Sequence, residues 1–85
     1  MQKTIEYPVK TVFPSKKNLE YHIKRHNPQE DGTILLCGSN IDGYEARYDP
    51  NKNRIILRLQ GATEEDLVEA NLKFFRFVDN YFKIN

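Results

Sequence analysis

A chain of 85 residues has room for one small domain, and a 39% apolar share that includes five Phe and five Tyr is enough to give it a core. No run of about 18 apolar residues occurs, which excludes a membrane-spanning helix. The lone cysteine, Cys37, excludes an internal disulfide and fits a reducing compartment. The formal net charge of +1 hides an asymmetry: residues 1–27 hold Lys3, Lys10, Lys16, Lys17, Lys24 and Arg25 against only Glu6 and Glu20, while the remainder is acidic on balance. Such a basic third points to an acidic partner.

From Lys3 to Phe13 the odd positions read Ile5, Tyr7, Val9, Thr11 and Phe13, the period-two alternation of a half-buried strand. Pro8 cannot donate to a ladder, so the strand belongs at a sheet edge or carries a bulge. Ser15 is a good N-cap for a short helix from Lys16 to His26, stopped by Asn27-Pro28. Thr33–Cys37 is a short apolar run that reads as a central strand. Gly43–Asp49 alternates Tyr44, Ala46 and Tyr48 against Glu45, Arg47 and Asp49, and Arg54–Gln60 alternates again with Ile55, Leu57 and Leu59 on one side. The connection Asp49-Pro50-Asn51-Lys52-Asn53 has the composition of a hairpin turn. Gly61 ends that strand, and Thr63 with Asp66 caps a long helix in which Leu67, Ala70, Phe74, Phe75, Val78, Tyr81 and Phe82 form an apolar stripe. The order strand, helix, three-stranded antiparallel meander, helix predicts a single α+β domain over residues 1–85, a two-layer sandwich with both helices on one face of the sheet.

The segment from Thr4 to His26 resembles a degenerate zinc finger. Phe13, Leu19, His22 and His26 reproduce the aromatic-leucine-histidine-histidine spacing of the two-cysteine, two-histidine family, but both cysteines are missing from the preceding stretch. The resemblance implies a strand-turn-helix whose helix start, at Ser15, Lys17, Asn18 and Tyr21, would carry the family's base-reading positions. Two histidines without thiolate support do not make a metal centre, so no metal and no cofactor are expected. The helix, meander, helix order also resembles the topology of double-stranded-RNA-binding domains. That family grips phosphates with lysines at the start of its last helix, where this chain has Thr63-Glu64-Glu65-Asp66.

No acid-base-nucleophile pattern and no glycine-rich loop before a helix is present, so the chain is read as non-enzymatic. Candidate binding residues are Lys16, Lys17, Asn18, Lys24 and Arg25 on the first helix, with Arg47, Arg54 and Arg58 on the open face of the sheet. Leu72 and Phe77, which lie beside or outside the stripe, and Tyr81 within it are candidate interface residues, since the helix carries more rings than one sheet face can cover, and a homodimer through the last helix would use them. The expected function is that of a small binding protein, of the inhibitor or adaptor type found in viruses and bacteria, acting through protein-protein contact. The alternative is a nucleic-acid-binding module using the basic helix and the arginine face. The N-terminus lacks the apolar segment of a signal peptide, so the expected address is cytoplasmic, the host's if the protein is viral.

Overall fold

The computed structural model describes residues 1–83. In chain order its elements are β1 (Gln2–Pro8), a one-turn α1 (Val9–Val12), α2 (Lys16–Ile23), β2 (Ile34–Ser39), β3 (Tyr44–Asp49), β4 (Arg54–Gln60) and α3 (Glu64–Phe77), which runs on into a π-helical turn over Val78–Phe82. The strands form one antiparallel sheet of four in the order β1-β4-β3-β2. The helices cover one face of it, giving the α+β two-layer architecture and the element order that the sequence predicts. No helix among the described residues is long and apolar enough to cross a membrane.

Alternation decides which face is covered. Tyr44, Ala46, Tyr48, Ile55, Leu57 and Leu59 are buried under the helices, and they meet Val12, Phe13, Leu19, Leu67, Ala70, Phe74, Val78 and Phe82 in one continuous core. The register places Glu45 opposite Arg58, Arg47 opposite Ile56 and Asp49 opposite Arg54 on the open face. At the β3–β4 turn, Asp49 Oδ1 accepts from the amides of Asn51 (2.9 Å) and Lys52 (3.3 Å), while Asn53 takes a positive φ of 53°.

Three boundaries differ from the sequence reading. The first strand stops at Pro8 instead of reaching Phe13. Pro8 occupies the N-cap of α1 at φ −58°, and the Phe13 amide closes that turn onto the Val9 carbonyl at 2.8 Å. One helical turn lifts the chain from the edge of the sheet onto its face. Val12 and Phe13 are then adjacent in sequence yet both fully buried, which a strand covered on one face only does not permit. The α2 helix ends at Ile23, three residues before His26, because the amides of Arg25 and His26 bond to His22 and Ile23 in a tighter i to i−3 pattern ahead of Pro28. The second strand starts at Ile34 and carries a bulge: Leu35 pairs with Arg47 and Cys37 with Ala46, so Leu36 is an extra residue and is buried beside Cys37.

The long helix keeps its predicted cap. Thr63 Oγ1 accepts from the Asp66 amide at 3.2 Å, and Asp66 Oδ2 accepts from the amides of Thr63 (3.1 Å) and Ala62 (2.9 Å).

Candidate functional site: a basic, aromatic groove between the helices

The Ser15 hydroxyl accepts from the Asn18 amide at 3.1 Å and so fixes where α2 begins. That phase turns Asn18 and Leu19 inward and leaves Lys16, Lys17, Lys24 and Arg25 exposed. His22, one turn after Asn18, lies between the ring of Phe13 (5.6 Å, near-parallel at 30°) and that of Phe82 (4.9 Å), with Tyr21 edge-on at 5.1 Å. The facing wall comes from the π-helical turn, where the Lys83 amide reaches back to the Val78 carbonyl at 3.0 Å. The wider turn brings Val78 and Phe82 inward together and leaves Tyr81 61% exposed, its ring 4.6 Å from that of Phe77.

Between these walls runs an open groove of about 990 Å³. Its lining includes Lys17, Asn18, Tyr21, Arg25, Phe77 and Tyr81, with His22, His26 and Phe82, and among the described residues no carboxylate. Two sets of residues that the sequence offers separately, the basic helix and the aromatic C-terminal helix, thus meet in one place. The Arg25 guanidinium lies 4.4 Å from the centre of the Tyr21 ring and donates to its hydroxyl. Two polar atoms at the groove, Asn18 Oδ1 and His22 Nε2, are buried without a hydrogen-bond partner among the described residues. Burial holds the His22 imidazole below its ordinary pKa, and the nearby Arg25 and His26 charges act in the same direction, against a smaller upward pull from the Phe82 backbone.

The other candidates lie elsewhere. Asn18, read from the sequence as an exposed phosphate contact, is only 6% exposed and belongs to the groove floor. Lys16 borders a separate hollow of about 590 Å³ between α1 and α2, and Lys24 lines neither cleft. Leu72, 52% exposed, sits on the opposite flank of α3 from Phe77, so the three interface candidates are split between two surfaces. On the open sheet face, Arg47 Nε pairs with Glu45 Oε1 at 2.7 Å, and its guanidinium also donates to Thr33 Oγ1 at 3.2 Å. Asp31 accepts from the Thr33 hydroxyl (2.6 Å) and amide (2.9 Å), which lowers its pKa, with Arg47 adding a smaller effect at 4.0 Å. Glu45 therefore pairs along its own strand and not across to Arg58. Arg58 borders a small polar cleft of about 320 Å³, in which Gln60 Nε2 already donates to Asn40 Oδ1 at 3.1 Å. Arg47, Arg54 and Arg58 alternate with Glu6, Glu45 and Asp49 over that face, so their charges are offset locally.

Among the described residues, no group of three or more His, Cys, Asp or Glu side chains is gathered where it could hold a metal ion. The Cys37 thiol is pushed up to about 12 by burial, with the Asp42 charge adding to it, and is therefore protonated at neutral pH. Asn80 is a groove residue that the sequence reading does not place in a site, while Tyr21 and His26 enter that reading only through the zinc-finger resemblance; Tyr21 stands four before Arg25, the helical spacing that brings the two together. No family model matches the chain, and comparison with curated proteins and with solved structures finds no match either.

Proposed function

We propose that this is a non-enzymatic binding protein whose groove between α2 and the π-helical turn receives an acidic segment of a protein partner. The observation that carries this reading is the composition of the groove: Lys17 and Arg25 stand at an apolar floor of Leu36, Phe77 and Phe82, and among the described residues no carboxylate lines it to compete with a ligand's. Cations at the rim steer and orient an acidic segment, while an aromatic or aliphatic anchor in the floor supplies most of the affinity. Selection of a random displayed-peptide library on the protein tests it. Enriched peptides should combine Asp or Glu with one bulky apolar anchor, and Arg25→Glu should abolish their binding. Enrichment of peptides without acidic residues, or binding indifferent to Arg25→Glu, would overturn it.

One feature favours a second reading. Tyr21 and Tyr81, both more than half exposed, present rings beside Lys17 and Arg25, the combination that stacks bases and neutralises phosphates in single-stranded nucleic acids. An oligothymidylate probe then binds with affinity that falls steeply with salt, because each phosphate contact releases counterions. Absence of binding at low salt removes this alternative.

A further inference from the structure

The second surface of the molecule is the edge of the sheet at β1, where among the described residues nothing pairs with the outer side of the strand. Met1 and Gly61 exchange backbone hydrogen bonds of 2.7 and 3.0 Å, and the register continues unbroken from Gln2 opposite Gln60 to Pro8 opposite Arg54. Hydrogen-bonding direction alternates along an antiparallel strand, so Lys3, Ile5 and Tyr7 bond inward to β4. The amides and carbonyls of Gln2, Thr4 and Glu6 therefore point outward, and Pro8 offers only a carbonyl. Beside this edge runs α3, whose Val68 shares a cleft with Lys3 and Ile5, and whose Asn71 accepts from the Tyr7 hydroxyl at 3.4 Å. Val68, 61% exposed, lies on the flank of α3 above that edge, with nothing covering it among the described residues.

We propose that β1 pairs antiparallel with β1 of a second copy of this chain about a two-fold axis at Thr4, joining two sheets into one of eight strands. The chemistry of the edge selects this register. With Thr4 opposite Thr4, Gln2 meets Glu6 on both sides of the axis, and all three outward residues of each copy exchange both of their hydrogen bonds. Moving the axis to Ile5 sets Gln2 against Pro8, which has no amide to give. Moving it to Glu6 sets two carboxylates face to face. On the covered face the Thr4 register places Lys3 opposite Ile5 of the other copy. Lys3 shares a cleft with Glu64 of its own α3, which offsets its charge at the seam. Because α3 packs over β4 and β3, at least three strand spacings of about 4.8 Å separate the two α3 helices, wider than the 8–10 Å of directly packed helices. Val68 and Ile5 of both copies line the channel between the helices above the seam. This surface is distinct from the groove, so dimerisation leaves Lys17, Arg25 and Tyr81 open in each copy.

Light scattering after size exclusion reads the mass, and the wild-type protein should give twice 10.1 kDa. Thr4→Pro removes the amides at the axis without touching a bond to β4, a position where an edge strand tolerates proline. It should yield a monomer with an unchanged circular dichroism spectrum. Under oxidation Thr4→Cys should cross-link into a covalent dimer, while Gln2→Cys, which faces Glu6 and not itself, should not. A wild-type monomer at the highest attainable concentration overturns the proposal. So does a dimer that survives Thr4→Pro, or one in which Gln2→Cys links and Thr4→Cys does not. Should Thr4→Pro fail to fold, the two cysteine variants decide the matter.

Discussion

His22 shows how far one side chain's surroundings depart from what its neighbours in sequence suggest. Read along the chain, it is one of a histidine pair at metal-binding spacing. In the fold its ring lies between those of Phe13 and Phe82, and its Nε2 is buried without a partner among the described residues. Burial, reinforced by Arg25 and His26, lowers its pKa from the ordinary 6.5. The unfolded chain then takes up a proton, just below pH 6.5, that the folded one refuses. The contribution of His22 to stability is therefore intact above that pH and falls as acid is added, until the lowered folded pKa is passed. Urea midpoints measured across that window should decline toward acid in the wild type and flatten in His22→Phe. An unchanged slope in the variant would mean that other groups carry the effect. The finger-like spacing of Phe13, Leu19 and His22 was legible in the sequence because it is the spacing of an amphipathic helix behind an aromatic residue. The burial of Asn18 was not, because its polarity marks it as a surface residue, and only the Ser15 cap turns it inward.

At the scale of elements, the parts that local chemistry controls are the parts that could be read in advance. The three-strand meander announces itself by alternation and the start of α3 by Thr63 with Asp66, since both are short-range patterns with one structural solution. The break at Pro8 was harder, because Val9, Thr11 and Phe13 continue the strand's period while the backbone has already turned helical. The bulge at Leu36 and the π-helical turn at Val78–Phe82 each insert one residue that packing against the opposite layer demands, and no local preference encodes them. The cap on α3 gives a direct test of the local term. Thr63→Ala removes the acceptor of the Asp66 amide and leaves its reciprocal partner unsupported, a loss of about 1 kcal/mol. Chemical denaturation should show the midpoint falling with an unchanged slope. No loss at all would mean that Asp66, bonded to both Ala62 and Thr63, holds the helix start alone.

For the molecule as a whole, α3 separates two ends of opposite character. Its first turn carries Glu64, Glu65 and Asp66, and its last turn opens on the groove with Lys17 and Arg25, about 20 Å away at 1.5 Å per residue. The charge asymmetry seen in the sequence is thus laid out along the helix, with the basic end at the groove. The core lies between the sheet and the helices, and the groove opens at its margin and shares Leu36 and Phe82 with it, so only rim residues such as Lys17, Arg25 and Tyr81 stand outside the core. A chain of this size is held by about 4–13 kcal/mol in total. Phe74, fully buried against Tyr44 and Phe75, should take about 3–5 kcal/mol of that when cut to Ala. The melting temperature would then fall by tens of degrees or the fold would be lost altogether. Lys17→Gln, Arg25→Gln and Tyr81→Ala, all at exposed positions, should stay within about 0.5 kcal/mol of the wild type each. Thermal unfolding of the set, followed by circular dichroism, distinguishes the two classes. A groove variant as damaging as Phe74→Ala would show that the groove walls are part of the core, and its residues would then have to be explained by packing before any partner is invoked.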